Sequence, residues 1–364
     1  MSRRELLQLA TPLNVAKHRI GGHYLSEKLD GTRCFWDGGI SRGVRTEDVP
    51  WASLVAPKTG VRKDKIKPIA SGLWSRYGNP IMAPDWFLNT LPACFLDGEL
   101  TAGRGKFQLT RSICGGDTPD PRFDRIRYAI YSAPPAENVF QSGLIKNANI
   151  LREINYDECM AFVRSQLEDF EGDFQFCVAQ SFQGELEFLG RVFEAQAQQC
   201  YLLKQEKLPL DEGSAHVRVA EFLGYVLEQS GEGIVLRDPA AEWEPKRHKG
   251  ILKWKPFSDA EGTITGFTSG RETDKGSKHL GKIGALILDY DGKRLELSGL
   301  TDEEREFSSF ADSQWASHNP GRDMPPDARG KHFKVGDTVT FRYRELSDDK
   351  IPKEARYFRQ RGVE

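Results

Sequence analysis

The dipeptide Asp30-Gly31 separates two apolar runs, Tyr24 to Leu29 and Cys34 to Trp36, and nothing else in the chain limits its folding as sharply. Asp-Gly between apolar runs favours a tight turn, so the segment reads as two strands joined in a hairpin. Around the turn, Glu27-Lys28-Leu29-Asp30-Gly31-Thr32-Arg33 carries four charged side chains in seven residues. An exposed hairpin tip accounts for such a cluster. So does a site: lysine is protonated in water and a poor nucleophile, and a strand end beside a tight turn can supply the burial or neighbouring cations that favour its neutral form.

The pattern of an apolar strand ending in charge recurs. Phe95-Leu96-Asp97-Gly98-Glu99-Leu100 puts Asp97 and Glu99 on one face by the period of two. Two hard oxygen donors suit Mg²⁺, and equally a solvated turn. Glu232 opens the apolar run Gly233-Ile234-Val235-Leu236-Arg237, and Leu252-Lys253-Trp254-Lys255-Pro256 follows. Lys253 and Lys255 fall on the same strand face, where two cations repel unless an anion such as phosphate lies between them. An edge strand protected by lysines in water is the plain alternative.

Residues 4–10 read as a short opening helix, and Arg127 to Tyr131 as a strand closed by Ala133-Pro134-Pro135. From Ala136 to about Tyr225 the spacing turns helical, through Leu144, Ile150 and Leu151 and then Met160, Phe162, Val163 and Leu167. The pattern changes after Pro256, which places a domain boundary near Ser258 and divides the chain into 1–258 and 259–364. Beyond it, Thr263 to Phe267, Ala285 to Tyr290, Arg294 to Leu297 and Thr338 to Arg344 are short strands with turn signals such as Asp291-Gly292 between them. They predict a small antiparallel barrel. Thr301 and Glu304 have capping-box spacing for a helix over Asp302 to Phe310.

Lysine and arginine number 51 against 53 aspartates and glutamates, so any polyanion site must be local rather than a property of the whole surface. Two basic segments qualify. Lys275, Lys278 and Lys282, spaced by glycines, form a basic loop that can follow a nucleic-acid backbone or lie solvated as a hairpin. Arg356, Arg359 and Arg361 make a second cluster. Gly276 to Ile283 nearly matches a P-loop, but Ile283 stands where Ser or Thr would hold Mg²⁺, and a strand follows. Six scattered cysteines without CxxC pairs argue against zinc. With no signal-peptide core and no apolar stretch long enough to span a bilayer, the expectation is a cytoplasmic chain.

Taken in order, these segments resemble the covalent nucleotidyltransferase superfamily and, within it, the ATP-dependent DNA ligases of minimal phage and bacterial accessory type. Lys28-x-Asp30-Gly31-x-Arg33 resembles motif I, Ser75-Arg76-Tyr77-Gly78-Asn79 motif Ia and Leu96-Asp97-Gly98-Glu99 motif III. Glu232-Gly233-Ile234-Val235 resembles motif IV and Lys253-Trp254-Lys255 motif V. The resemblance covers most of the chain and is weakest over 136–225. It implies an α+β fold, with a nucleotidyltransferase (adenylation) domain of antiparallel sheets and flanking helices followed by a small OB-fold barrel.

It also implies a reaction. Lys28 would take AMP from ATP, pass it to the 5′-phosphate of a nick in duplex DNA, and leave the 3′-hydroxyl to displace it. Glu99 and Glu232 would place Mg²⁺ or Mn²⁺, Lys253 and Lys255 would neutralise the α-phosphate, and Arg33 would reach the nucleotide. Tyr131 would stack on adenine, Glu27 would serve the adenine contact beside Ser26, and Arg76 would grip the nick phosphate. Two positions depart from the family pattern: Ser26 replaces the Glu two before the lysine, and Ser132 replaces the Asp that often follows the stacking aromatic. An RNA ligase or an RNA-capping guanylyltransferase would use the same lysine, and a non-catalytic module that binds nicked DNA is the reading from another class. The resemblance also implies a monomer without an obligate protein partner.

Overall fold

The computed structural model describes residues 6–53, 69–140, 143–146, 151–179, 181–193, 199–272, 276–347 and 349–360. The chain divides into two compact units, Met1–Trp254 and Lys255–Glu364.

The first unit is built on two five-stranded sheets. One runs in the order Leu9–Pro12, Arg247–Trp254, Gly233–Arg237, Tyr24–Lys28, Glu206–Lys207. The other runs Leu73–Ser75, Thr32–Asp37, Phe95–Thr101, Arg127–Ser132, Cys200–Leu202. The strands on either side of Asp30-Gly31 therefore do not pair with each other, and the expected hairpin is replaced by a crossover from one sheet to the next. The reason lies at Gly31, where an added Cβ would sit 2.3 Å from the Leu100 carbonyl oxygen. Gly31 serves as a point of backbone contact with the neighbouring strand.

Behind the first sheet lies the helix Glu212–Glu228, whose Ala215, Val219, Leu223 and Val226 make one apolar stripe against Leu25, Ile234, Leu236 and Leu252. Each such buried aliphatic side chain contributes about 1.5–3 kcal/mol. Asp211 caps this helix by accepting from the Ser214 amide at 2.8 Å. Under the second sheet, Phe87, Phe123, Tyr128 and Leu189 are among the residues that fill a separate core.

Sequence periodicity is a weaker guide at several places. Leu9–Pro12 is a strand, parallel to Arg247–Trp254, where an opening helix was expected over residues that partly precede the described ones. Gly143–Lys146 and Leu151–Ile154 form a two-stranded sheet in place of the helix expected around Leu144 and Leu151. The helical spacing of Met160, Val163 and Leu167 does correspond to a helix, Tyr156–Glu168, and two more follow at Phe182–Phe193 and Glu212–Glu228.

The second unit is built on a five-stranded antiparallel sheet in the order Lys293–Leu297, Ile283–Tyr290, Ser258–Ser269, Thr338–Tyr343, Arg356–Gln360, with a small two-stranded sheet of Glu345–Leu346 and Pro352–Lys353 beside it in sequence. Among the described residues its ladder is open, and the two edges meet only at one bridge between Ser298 and Arg356, so the expected barrel is not closed by continuous pairing. Here Asp291-Gly292 does make a hairpin: Asp291 has φ 52° and Gly292 φ 72°, the pair of positive values that matches strand twist. The expected helix over Asp302 to Phe310 is absent, although its capping bonds form. Glu304 accepts from the Thr301 amide at 2.7 Å and its own amide donates to Thr301 Oγ1 at 3.3 Å. Arg305 then turns inward, donating to the carbonyls of Ile283 and Gly284 at 2.7 Å each, and stops the helix. The helix begins at Phe310, capped by Ser309. Among the described residues no helix is long and apolar enough to cross a membrane.

Candidate functional site

Register decides which side chains share the site. Lys28 stands opposite Gly233, Ser26 opposite Val235 and Tyr24 opposite Arg237; Val235 in turn stands opposite Lys253. Ser26, Lys28, Val235, Arg237 and Lys253 thus occupy one face of the first sheet, and all five line a cavity of about 1400 Å³. The alternate face packs on the helix behind.

Lys28 ends its strand with its amine paired to Glu232, a carboxylate carried just before Gly233–Arg237. Glu27 also lines the cavity, and its carboxylate takes both ends of the Arg104 guanidinium at 2.7 Å. Arg104 sits between Gly103 and Gly105, both in the left-handed region.

The second sheet supplies the other wall. Arg33 lies opposite Glu99 in the register. Its guanidinium grips Asp97 with two bonds of 2.7 and 2.8 Å and lies 4.8 Å over the ring centre of Tyr131. Burial opposes the charge on Arg33, but Asp97 outweighs it and keeps the guanidinium ionised. Asp97 is only 1% exposed and also accepts from Trp243 Nε1 at 2.9 Å, so of the two cavity-lining carboxylates of this strand Asp97 is a buried counterion and Glu99 is the more exposed. The Tyr131 hydroxyl donates to Glu99 at 3.3 Å. Burial pushes the Glu99 carboxyl up to about 7, and Glu232 adds to this against the opposing pull of Arg33 and Lys28. A carboxylate at a cavity wall, with Glu232 near it, is suited to a divalent cation, and Mg²⁺ needs only one or two carboxylates when phosphates and water complete its shell. Among the described residues no cluster of three or more metal-ligating side chains exists.

Arg76 lines the same cavity and stacks 4.4 Å over the Tyr77 ring. Lys255 opens the second unit, where its amine faces Glu345 at 3.5 Å and its carbonyl accepts from Arg344. Lys278 is exposed and pairs with Asp302, and Lys282 is half-buried at the start of the strand Ile283–Tyr290. Arg356 and Arg359 are exposed on the edge strand Arg356–Gln360, which is paired along its length and not a frayed tail. Lys275 and Arg361 lie outside the described residues.

Four further side chains belong to the cavity or brace it. Arg237 is the next residue on the Val235 face, so the period of two could have found it. It is 8% exposed, lies 4.1 Å over the Phe182 ring, and its Nε has no hydrogen-bond partner among the described residues. Burial pulls its guanidinium below the usual range, and Glu185 works against that. Gln205 donates to the Tyr131 carbonyl at 2.8 Å. Gln205, Trp243 and Glu185 come from distant segments with no local signal.

Comparison with known proteins agrees with this architecture. The DNA ligase OB-like domain family matches residues 276–361. A DNA ligase of Haemophilus influenzae is 22% identical over 343 residues, spanning 94% of this chain and 88% of the relative. A solved Lig E DNA ligase superposes with a TM-score of 0.61 at 23% identity, covering 98% of each chain. Over nearly its whole length, then, this chain has the fold of that Lig E DNA ligase, and the OB-like match falls within its second unit.

Proposed function

We propose that the chain is an ATP-dependent DNA ligase, and that Lys28 is its nucleophile. The observation that carries the proposal is the position of the Lys28 amine, in a cavity walled by Arg33, Glu99, Tyr131 and Lys253 and paired with Glu232. Few arrangements other than attack on a phosphate need a lysine at a strand end surrounded by both carboxylates and cations.

In the first step the neutral Lys28 amine attacks the α-phosphorus of ATP. An N–P bond forms, the P–O bond to pyrophosphate breaks, and the amine gives up a proton. AMP then passes to the 5′-phosphate of a nick, freeing Lys28, and the 3′-hydroxyl displaces AMP to join the strand. Each step is an in-line displacement, so positioning and charge neutralisation carry most of the catalysis.

Lys253 and Lys255 balance charge on the α-phosphate, Arg33 binds the nucleotide, and Arg76 grips the nick phosphate. Tyr131 lies against the adenine, and Glu27, held by Arg104, serves the adenine contact. Glu99 and Glu232 would hold Mg²⁺ or Mn²⁺, which would supply charge neutralisation and substrate orientation. Lys275, Lys278, Lys282, Arg356, Arg359 and Arg361 serve the DNA backbone, and the protein acts as a cytoplasmic monomer. We assign the nucleotidyltransferase role to 1–258 and the OB role to 259–364.

The test is to mix the protein with Mg²⁺ and ATP labelled at the α-phosphate and look for label on the denatured chain. An ATP-specific adduct, absent with GTP and in Lys28→Ala, is the expected result. No adduct in protein shown to be free of pre-bound AMP would overturn the proposal. Sealing of nicked DNA duplexes in preference to RNA duplexes then fixes the acceptor.

A further inference from the structure

The helix Phe182–Phe193 lies within 136–225, where the motif resemblance is weakest, yet two of its first-turn residues reach the cavity wall. Glu185 is buried, at 7% exposure, and accepts from the Ala133 amide at 2.6 Å and from the Ser132 hydroxyl. Those two donors are where the strand Arg127–Ser132 ends, directly after Tyr131. One turn earlier, Phe182 lies under the Arg237 guanidinium. A buried carboxylate is costly unless hydrogen-bonded, and this one meets the backbone and side chain of the neighbouring strand end as well as the field of a buried arginine.

Its placement bears on the departure noted at Ser132. The hydroxyl there cannot itself supply a negative charge, and Glu185 brings one to the same point from another element. With Gln205 donating to the Tyr131 carbonyl, the residue on which the base would rest is fixed from both sides of its backbone.

We propose that Glu185 is a positioning residue for nucleotide binding: by anchoring Ser132 and Ala133 it sets the ring of Tyr131 against the nucleobase. The inference rests on the reading of Tyr131 given above. It assigns Glu185 no contact with ATP, so its signature is a change in KM for ATP with little change in kcat.

The experiment measures ATP-dependent labelling of Lys28 in the full chain, over a range of ATP concentrations, with thermal unfolding alongside. Glu185→Ala removes both acceptor bonds and should raise the KM for ATP about tenfold while kcat changes less than about twofold. Glu185→Gln keeps the oxygen that both donors use and should stay within about threefold of the parent in KM. In a Tyr131→Ala background the effect of Glu185→Ala on KM should disappear, because the ring it positions is gone. If Glu185→Ala does not fold, Glu185→Asp, which keeps the charge but withdraws it from both donors, should show the same KM change.

An unchanged KM in Glu185→Ala or Glu185→Asp, with only the unfolding temperature lowered, would reduce Glu185 to a structural role and overturn the proposal. An effect that persists undiminished in the Tyr131→Ala background would overturn it too. Failure of the parent reading looks different, since the unaltered protein would then take up no label.

Discussion

The chain contains two Asp-Gly pairs between apolar runs, and they do different things. Asp291-Gly292 turns the chain back on itself, joining Ile283–Tyr290 to its antiparallel partner Lys293–Leu297. Asp30-Gly31 carries it from one sheet to another, so Lys28 ends a strand of the first and Arg33 is the second residue of a strand of the second. The second pair is a local solution to strand twist, with both residues at positive φ. The first is held by long-range contacts, with Gly31 against Leu100. A hairpin would have put Lys28 beside Thr32 on one sheet. The crossover opens a cavity between sheets and leaves the lysine on its wall.

That contrast can be broken by substitution. The largest effect is expected at Lys28, where Lys28→Ala should abolish covalent labelling by ATP, a loss of at least about 10³-fold in rate, since no other step can replace the nucleophile. The next falls on Gly31. A Cβ there meets the Leu100 oxygen at 2.3 Å and Glu99 Cγ at 2.8 Å, so Gly31→Ala should destabilise the first unit by about 2–3 kcal/mol and reduce labelling as Glu99 is displaced. Chemical denaturation and labelling rate measured on the same sample would check both.

The strands that leave the two turns also end differently. Lys293–Leu297 ends in a buried leucine, whereas Thr32–Asp37 ends in a carboxylate with no exposure. Burial pushes Asp37 up to about 6 despite hydrogen bonds from Ser41, Trp74 and Gly39. Because the folded chain holds this proton more tightly than the unfolded one, its contribution to stability is fully present below about pH 4 and is lost as the pH rises through about 6. Relative to the parent, Asp37→Asn should therefore lose less stability between pH 4 and pH 7, by on the order of 2 kcal/mol, in denaturant melts at the two pH values. Equal pH slopes would show that Asp37 does not carry the difference.

The smallest effect belongs to the second turn. Gly292 has φ 72° and open space around it, so Gly292→Ala pays only for the left-handed conformation, about 1 kcal/mol, and leaves labelling of Lys28 unchanged. If it disturbed labelling as much as Gly31→Ala, the distinction between a local turn and a crossover would be lost.

These residues also mark how far the sequence could be read. The strands at Phe95, Arg127, Gly233, Ala285 and Thr338 were legible in the sequence, as was the turn at Asp291-Gly292, because strand and turn preferences are local. The capping box at Thr301 was legible as a set of hydrogen bonds and misleading as a helix, since burial of Arg305 outweighed it. Around Leu144 and Leu151, spacings near three and four suggested helix where a strand pair forms, as happens when short apolar runs fit either period. In the site, the candidates were visible as charged residues at strand ends. Arg237 was visible by the same alternation and was passed over, while Gln205, Trp243 and Glu185 carry no local mark.

By itself the sequence determined the chemistry available at each strand end and the order in which those ends occur, because side-chain type and the period of two are properties of short segments. Tertiary structure alone decided the partners. Lys28 meets Glu232 across 204 residues and Arg33 meets Asp97 across 64, and no periodicity reaches that far. Of two carboxylates on one strand face, Asp97 became a buried counterion and Glu99 stayed the more exposed, because Arg33 and Trp243 donate hydrogen bonds to Asp97. Which carboxylate is spent on the fold and which is left for chemistry depends on what is packed beside it.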